Sequence, residues 1–524
     1  MPKLHASNIS RRTVLLVGTT LAAVLAAPRW LEAQESAPKS IRAIQPWEFK
    51  SIQPAESGFV VNRASIAEGL TALLPDGSVV PCLATEWSAS DDAKEWRFTL
   101  REGVVFHDGT PVTAETVKAS MDALLPQARR LAAAHIQSVS AEGNVVVFRL
   151  ERPFGPFPAY LCDYAISIYA PAAFGADGKV AEVIATGPFK VEAIELPRRI
   201  SLSRNDAYWG EKPVVERAEF EAVANGETRA NMALAGDADV IMNIPTSSVS
   251  RIESSGGMQV HEVINPRVHA LYPDCGKPQF SDVRTRRALS LAIDRTAIAR
   301  TIMRNADLAA TQLFPPVMPD WHFDDLPAYG FDIAAAEALL DEAGWHKGSD
   351  GIRTKDGVRF AGTIRTFPNR PEMPVIAAAL QAMWRTIGYD LSISIGDASA
   401  IVEAKQNGTL DIGFSSRHLA IVPDGIAVIS SEFVNEETRN LSDTGAFNWR
   451  NEEFDTLTDA YYAETDEKVR TASRRRLTEI LQEDLPAIPI VWYSQIFAVS
   501  DKVEGFVNDP FEQRLYLDRL SFKA

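Results

Sequence analysis

The stretch from Pro81 to Leu125, PCLATEWSASDDAKEWRFTLREGVVFHDGTPVTAETVKASMDALL, decides the fold, because three local signals in it agree. Trp96, Phe98 and Leu100 alternate with Arg97, Thr99 and Arg101. That period of two predicts a half-buried strand with apolar side chains on one face and charges on the other. Glu102-Gly103 turns the chain into the short apolar run Val104, Val105 and Phe106, the return arm of a hairpin, which Asp108-Gly109 stops. Thr113 is then placed to cap a helix. Glu115 stands in its first turn near the positive end of the helix dipole, and Val117, Met121, Leu124 and Leu125 share one face.

Within this stretch, the run LATEWSASDDAKEWRFTLREGVVFHDGTPVTAETV resembles the signature of the extracytoplasmic solute-binding proteins of family 5. These are the receptors for dipeptide, oligopeptide and nickel ABC importers. The resemblance implies an α/β, bilobal periplasmic-binding-protein fold of the large class, with an extra subdomain and a hinged ligand cleft. The implied division is a lobe I core of residues 40–65, 187–263 and 488–524, an extra subdomain of residues 66–186, and a lobe II of residues 264–487. The Trp, Phe, Gly and Asp positions of the signature read as core and turn residues, not as ligand contacts.

Upstream, Ser10-Arg11-Arg12 precedes an uncharged run from Val14 to Ala27, too short to span a bilayer comfortably. This reads as an export signal over residues 1–33, of the twin-arginine type, with cleavage expected after Ala33 or alternatively after Ala26 or Ala27; a retained membrane anchor is the competing reading. Removing it takes away four basic residues and one acid and moves the formal charge from −16 to −19. So acidic a protein repels nucleic-acid phosphates, and the reading is a soluble monomer of the periplasm. Cys82, Cys162 and Cys275 share no close spacing, which excludes a thiolate zinc site and a CxxC redox pair. They read as small buried apolar residues.

Further along, helix and strand signals alternate, as expected for α/β lobes. Ser40 to Val60 reads as a strand and a loop, and Ile66 to Leu74 as a helix. The loop, carrying Phe59, lies beside the ligand cleft if the resemblance holds. Thr186-Gly187-Pro188-Phe189 and Asn205-Asp206-Ala207-Tyr208-Trp209-Gly210 resemble the family's GTGPF and NxxYWG elements, and Tyr208 and Trp209 read as packing under a turn. Val283 to Asn305 has the periodicity of one long amphipathic helix. Lys468 to Leu485 reads as a helix whose Arg474-Arg475-Arg476 run is a solvated face.

Ligand chemistry is expected near the back of the chain. After a strand like Asp411 to Phe414, peptide-binding members carry a Trp and then an Asp for the peptide amine. This chain has Ser415-Ser416-Arg417-His418 there, and Asp424 follows in Pro423-Asp424-Gly425. A cleft-facing Arg417 would favour a carboxylate, which its guanidinium can grip with two parallel hydrogen bonds; the alternative is that it pairs with a nearby acid. In the nickel branch, Arg129 or Arg130 would match the arginine that holds the metal chelate, and His418 would touch metal only in such a chelate. The candidate site is therefore Arg417, His418, Asp424, Arg129, Arg130 and Phe59, with no dedicated metal cage and no cofactor.

The implied partners are a peptide or small-molecule ligand and an inner-membrane ABC permease with its ATP-binding subunits. A receptor for a nickel chelate is the alternative. A secreted hydrolase is a distant third, since no GxSxG, GxxxxGK[ST] or HExxH motif occurs.

Overall fold

The computed structural model describes residues 39–368, 370–397, 399–434 and 446–523. The export-signal reading of residues 1–33 lies outside the described residues. Within them, the opening stretch folds largely as its pattern predicts. Strand Glu95–Leu100 buries Trp96, Phe98 and Leu100 and leaves the alternate positions partly exposed. Helix Ala114–Leu124 starts at Thr113, whose hydroxyl accepts from Thr116 N while the Thr116 hydroxyl accepts from Thr113 N. The run Val104 to Phe106 departs from the prediction. It pairs only through a bridge from Val105 to Pro111 and is otherwise a loop that sends Val104 and Phe106 into the core.

Strand Glu95–Leu100 belongs to an antiparallel sheet of four strands, in the order 84–89, 95–100, 145–150 and 136–142. The larger sheet has ten strands. At one end Ser40–Gln45 runs parallel to both Arg217–Ala222 and Val240–Met242. At the other, Ala361–Thr366 runs parallel to both Asp390–Ile395 and Ile412–His418. The long antiparallel strands Met258–Pro273 and Ile488–Ser500 join the two halves. Two large apolar cores flank this junction. One gathers Trp345, Trp384, Phe414 and Tyr461, and the other Phe98, Phe148, Phe157 and Tyr169.

Several local expectations change. Phe59 lies in helix Pro54–Arg63, started by Pro54 at its first position, and not in a loop. Ile66 to Leu74 is not a helix but an irregular segment followed by strand Thr71–Leu73. Its residues Ile66, Ala67, Glu68 and Leu70 are all buried, so the segment has no exposed face for a helix to present. The helix expected over Val283 to Asn305 ends at Leu291, and Asp294 caps a new one by accepting from Ala297 N. Arg474 is buried, whereas Arg475 and Arg476 are partly exposed and pair with Asp325 and Glu453.

The two family-like motifs meet at Glu68. Its buried carboxylate accepts from the Thr186 hydroxyl (2.9 Å), the Tyr208 hydroxyl (2.9 Å) and the Trp209 indole N–H (3.0 Å). Burial raises the Glu68 pKa. Gly187 passes so close to the Ser65 and Ile66 carbonyls that a Cβ would lie 2.4 and 2.6 Å from their oxygens. The three cysteines are unpaired, with Cys82 and Cys275 buried and Cys162 half-buried.

Candidate functional site

Three chain segments converge at one group of charged and aromatic side chains. The first is the end of helix Pro54–Arg63. The Arg63 guanidinium lies 4.5 Å from the Trp47 ring centroid and donates from Nη2 to the Glu512 carbonyl at 3.0 Å. Phe59 meets both Trp47 and Tyr164 edge-on, with centroids 6.5 and 6.2 Å away. Arg130 sits 5.0 Å from the Tyr164 ring and grips Asp163 through Nε (2.7 Å) and Nη2 (2.8 Å). Burial opposes the Arg130 charge, but Asp163 more than offsets it and raises the Arg130 pKa. Arg129, its neighbour, is exposed.

The second segment is the antiparallel pair Met258–Pro273 and Ile412–His418, whose register sets Arg267 directly opposite His418 and Val268 opposite Arg417. Because side chains alternate along a strand, Arg417 and His418 leave on opposite faces. Arg417 forms an ion pair with the buried Glu432. His418 Nδ1 accepts from Ala420 N at 3.2 Å, so the ring proton of neutral His418 resides on Nε2. Burial first, and then Arg267, push the His418 pKa down to about 3.

The third segment is the C-terminal stretch around Glu512. Its carboxylate stands 3.9 Å from His418 Nε2 and 3.7 Å from Arg267 Nη2. Burial works to raise its pKa, and Arg267, His418, Arg63 and Arg370 outweigh that and hold it below the ordinary value. Arg370 stacks over Tyr493 at 4.7 Å. Beside it, buried His269 donates from Nε2 to Glu372 at 3.0 Å.

The structure thus brings His418 and Arg130 near each other, with Phe59 joined to Arg130 through the Tyr164 ring. Asp424 sits elsewhere, in a buried ion cluster. One oxygen accepts from Ile426 N, and the other from the Tyr461 hydroxyl and Arg470 Nη2, both at 2.8 Å. Sequence reading missed Arg63, Arg267, Arg370 and Glu512. Among the described residues no cluster of three or more His, Cys, Asp or Glu could hold a metal ion, and no helix is long and apolar enough to cross a membrane. The charged cluster around Glu512 offers guanidinium donors, aromatic faces and a carboxylate, groups suited to a small polar solute.

The chain belongs to the bacterial extracellular solute-binding proteins, family 5, whose middle region matches residues 78–435. It is 26% identical to the dipeptide-binding protein of Escherichia coli K12, covering 97% of each chain. With the nickel-binding periplasmic protein of the same organism it shares 28% identity over 74% of this chain and 76% of that one. Among solved structures, NikA from Brucella suis in complex with Fe(III)-EDTA superposes with a TM-score of 0.83 at 26% identity, covering 92% of this chain and all of that one.

Proposed function

We propose that the chain is the periplasmic solute-binding component of an ABC importer and takes short peptides or peptide-like small solutes. The observation that carries this reading is the meeting of Arg63, Arg130, Arg267, His418 and Glu512 in one cluster. The lobes on either side are read as residues 40–65, 187–263 and 488–524 with the subdomain 66–186, and residues 264–487. They close over the solute by a hinge and present it to an inner-membrane permease with its ATP-binding subunits. The receptor acts as a non-catalytic monomer that reaches the periplasm through the signal in residues 1–33. The dipeptide-binding relative supports the peptide class.

A metal chelate is the second reading, supported by the nickel-binding relative. His418 Nδ1 is already engaged by Ala420 N, and Nε2 points into the surroundings of Arg267. A bare divalent ion would meet a guanidinium there, whereas a carboxylate chelate would be attracted. Thermal-shift measurements with a dipeptide library and with the nickel(II)–histidine complex separate the readings. Peptides are expected to raise Tm and the complex to leave it unchanged; the reverse result transfers the assignment to the chelate.

A further inference from the structure

We propose that Tyr462 is the latch of a contact at which the two large cores part and rejoin, while the paired strands Met258–Pro273 and Ile488–Ser500 hold the chain together elsewhere. This goes beyond the solute-receptor reading, since it names the place where such a receptor opens.

Tyr462 lies in the last turn of helix Glu452–Ala463 and packs against both cores. Carbonyls in the last turn of a helix have no partner within it. The Tyr462 carbonyl accepts instead from Gly155 N, at 2.6 Å. The Glu464 carbonyl, just past the helix, comes so near that a Cβ on residue 155 would lie 2.2 Å from its oxygen. Gly155 is therefore the residue that lets the two backbones meet. Beside it the Phe154 ring stacks on the Tyr462 ring, with centroids 5.0 Å apart and planes 17° from parallel.

The Tyr462 hydroxyl joins the two sides a second time. It stands 2.6 Å from the Ser430 hydroxyl, in helix Ile426–Glu432, and 3.3 Å from the Tyr160 hydroxyl across the contact. Phe154 and Tyr160 are buried in the core that holds Phe98, whereas Ile426, Ile429 and Tyr461 are buried in the core that holds Trp384. What meets at Tyr462 is thus a ring pair, a backbone hydrogen bond and a short chain of hydroxyls. Water can replace the polar members of such a set, which it cannot do for the interlocked apolar side chains inside either core. A contact of this composition separates at a lower free energy than that at which a core unfolds.

Hydrogen exchange of the purified protein without added solute tests this, read by mass spectrometry with fragmentation that resolves single amides. The Gly155 N–H is the reporter, because its acceptor is the Tyr462 carbonyl. Its protection factor is expected to be at least about tenfold below those of Phe148, in strand Val145–Leu150, and Ile480, in helix Glu467–Asp484. Tyr462→Phe keeps the ring and removes the hydroxyl. It should lower Gly155 protection a further twofold to tenfold, roughly the effect of one lost hydrogen bond, and leave Phe148 and Ile480 unchanged.

Equal protection of the three amides in the wild-type protein would mean that the contact opens only on global unfolding, and would overturn the proposal. So would a Tyr462→Phe variant in which Gly155 keeps its wild-type protection, or one in which all three amides lose protection alike, the mark of a merely structural role. If the variant does not fold, the wild-type comparison decides by itself. Because no solute is added, a failure of the peptide reading leaves each of these outcomes as it stands.

Discussion

Arg267 and His418 stand directly opposite each other on neighbouring antiparallel strands, and Glu512 lies within 4 Å of both. Two residues 151 positions apart thereby stand beside a carboxylate from the C-terminal segment. The imidazole, kept neutral by burial and Arg267, is expected to carry no charge at any physiological pH. NMR of the His418 ring should show no titration between pH 8 and 5, and an imidazolium signal at pH 6 would contradict the geometry.

Arg130 and Asp163 form a two-point ion pair in which the Asp163 side chain is fully buried. Arg130→Ala should lower stability by roughly 2–4 kcal/mol, because it strands a buried carboxylate. Arg129→Ala should change it by less than about 0.5 kcal/mol, as expected for an exposed side chain. Urea unfolding of the two variants makes the comparison.

Asp424, expected from sequence to touch ligand, is engaged instead by Tyr461 and Arg470. Asp424→Asn should therefore lower the unfolding midpoint, at a cost of about 2–3 kcal/mol for the weakened charged hydrogen bonds. Solute affinity measured by calorimetry on the folded variant should stay within about threefold of wild type, a difference under 1 kcal/mol.

Gly155 donates its N–H to the Tyr462 carbonyl at 2.6 Å, and Tyr462 contacts both large cores. A Cβ on residue 155 would lie 2.2 Å from the Glu464 carbonyl oxygen, too close for either backbone to tolerate. Gly155→Ala is expected to part the two cores at this contact. Small-angle scattering should show a larger radius of gyration than wild type in saturating solute, with affinity reduced about tenfold or more, roughly 1.4 kcal/mol.

His107 is half-buried between the Gly187 carbonyl and the Ala185 N–H, and desolvation pushes its pKa down to about 4. The unfolded chain takes up this proton near pH 6.5, so it binds more protons than the folded chain between pH 6.5 and 4. The His107 contribution to stability is therefore present above pH 6.5 and lost as pH falls through that window. Asp509, raised by burial to about 6, acts in the opposite sense between pH 6 and 3.8. Thermal unfolding of His107→Gln at pH 7 and pH 5 should show a smaller drop than wild type.

The frame was legible where one local rule governed a segment. Thr113 announces its helix because a capping hydroxyl needs only the next turn. Where burial was complete, the periodicity vanished. Ile66, Glu68 and Leu70 all point into protein, which left no exposed positions to reveal the true conformation. Arg474 was misjudged from its two neighbours, although its spacing of three to Leu477 and seven to Leu481 puts it on the helix's buried face.

In the site, His418, Arg130 and Phe59 were accessible through motif likeness. Glu512 was not, because its partners come from strands far away in the chain.

Native mass spectrometry of the protein purified without prior unfolding tests the central claim most directly. A bound peptide or peptide-like small solute, released on denaturation, is the predicted result. A bound metal–carboxylate or metal–histidine adduct would contradict it.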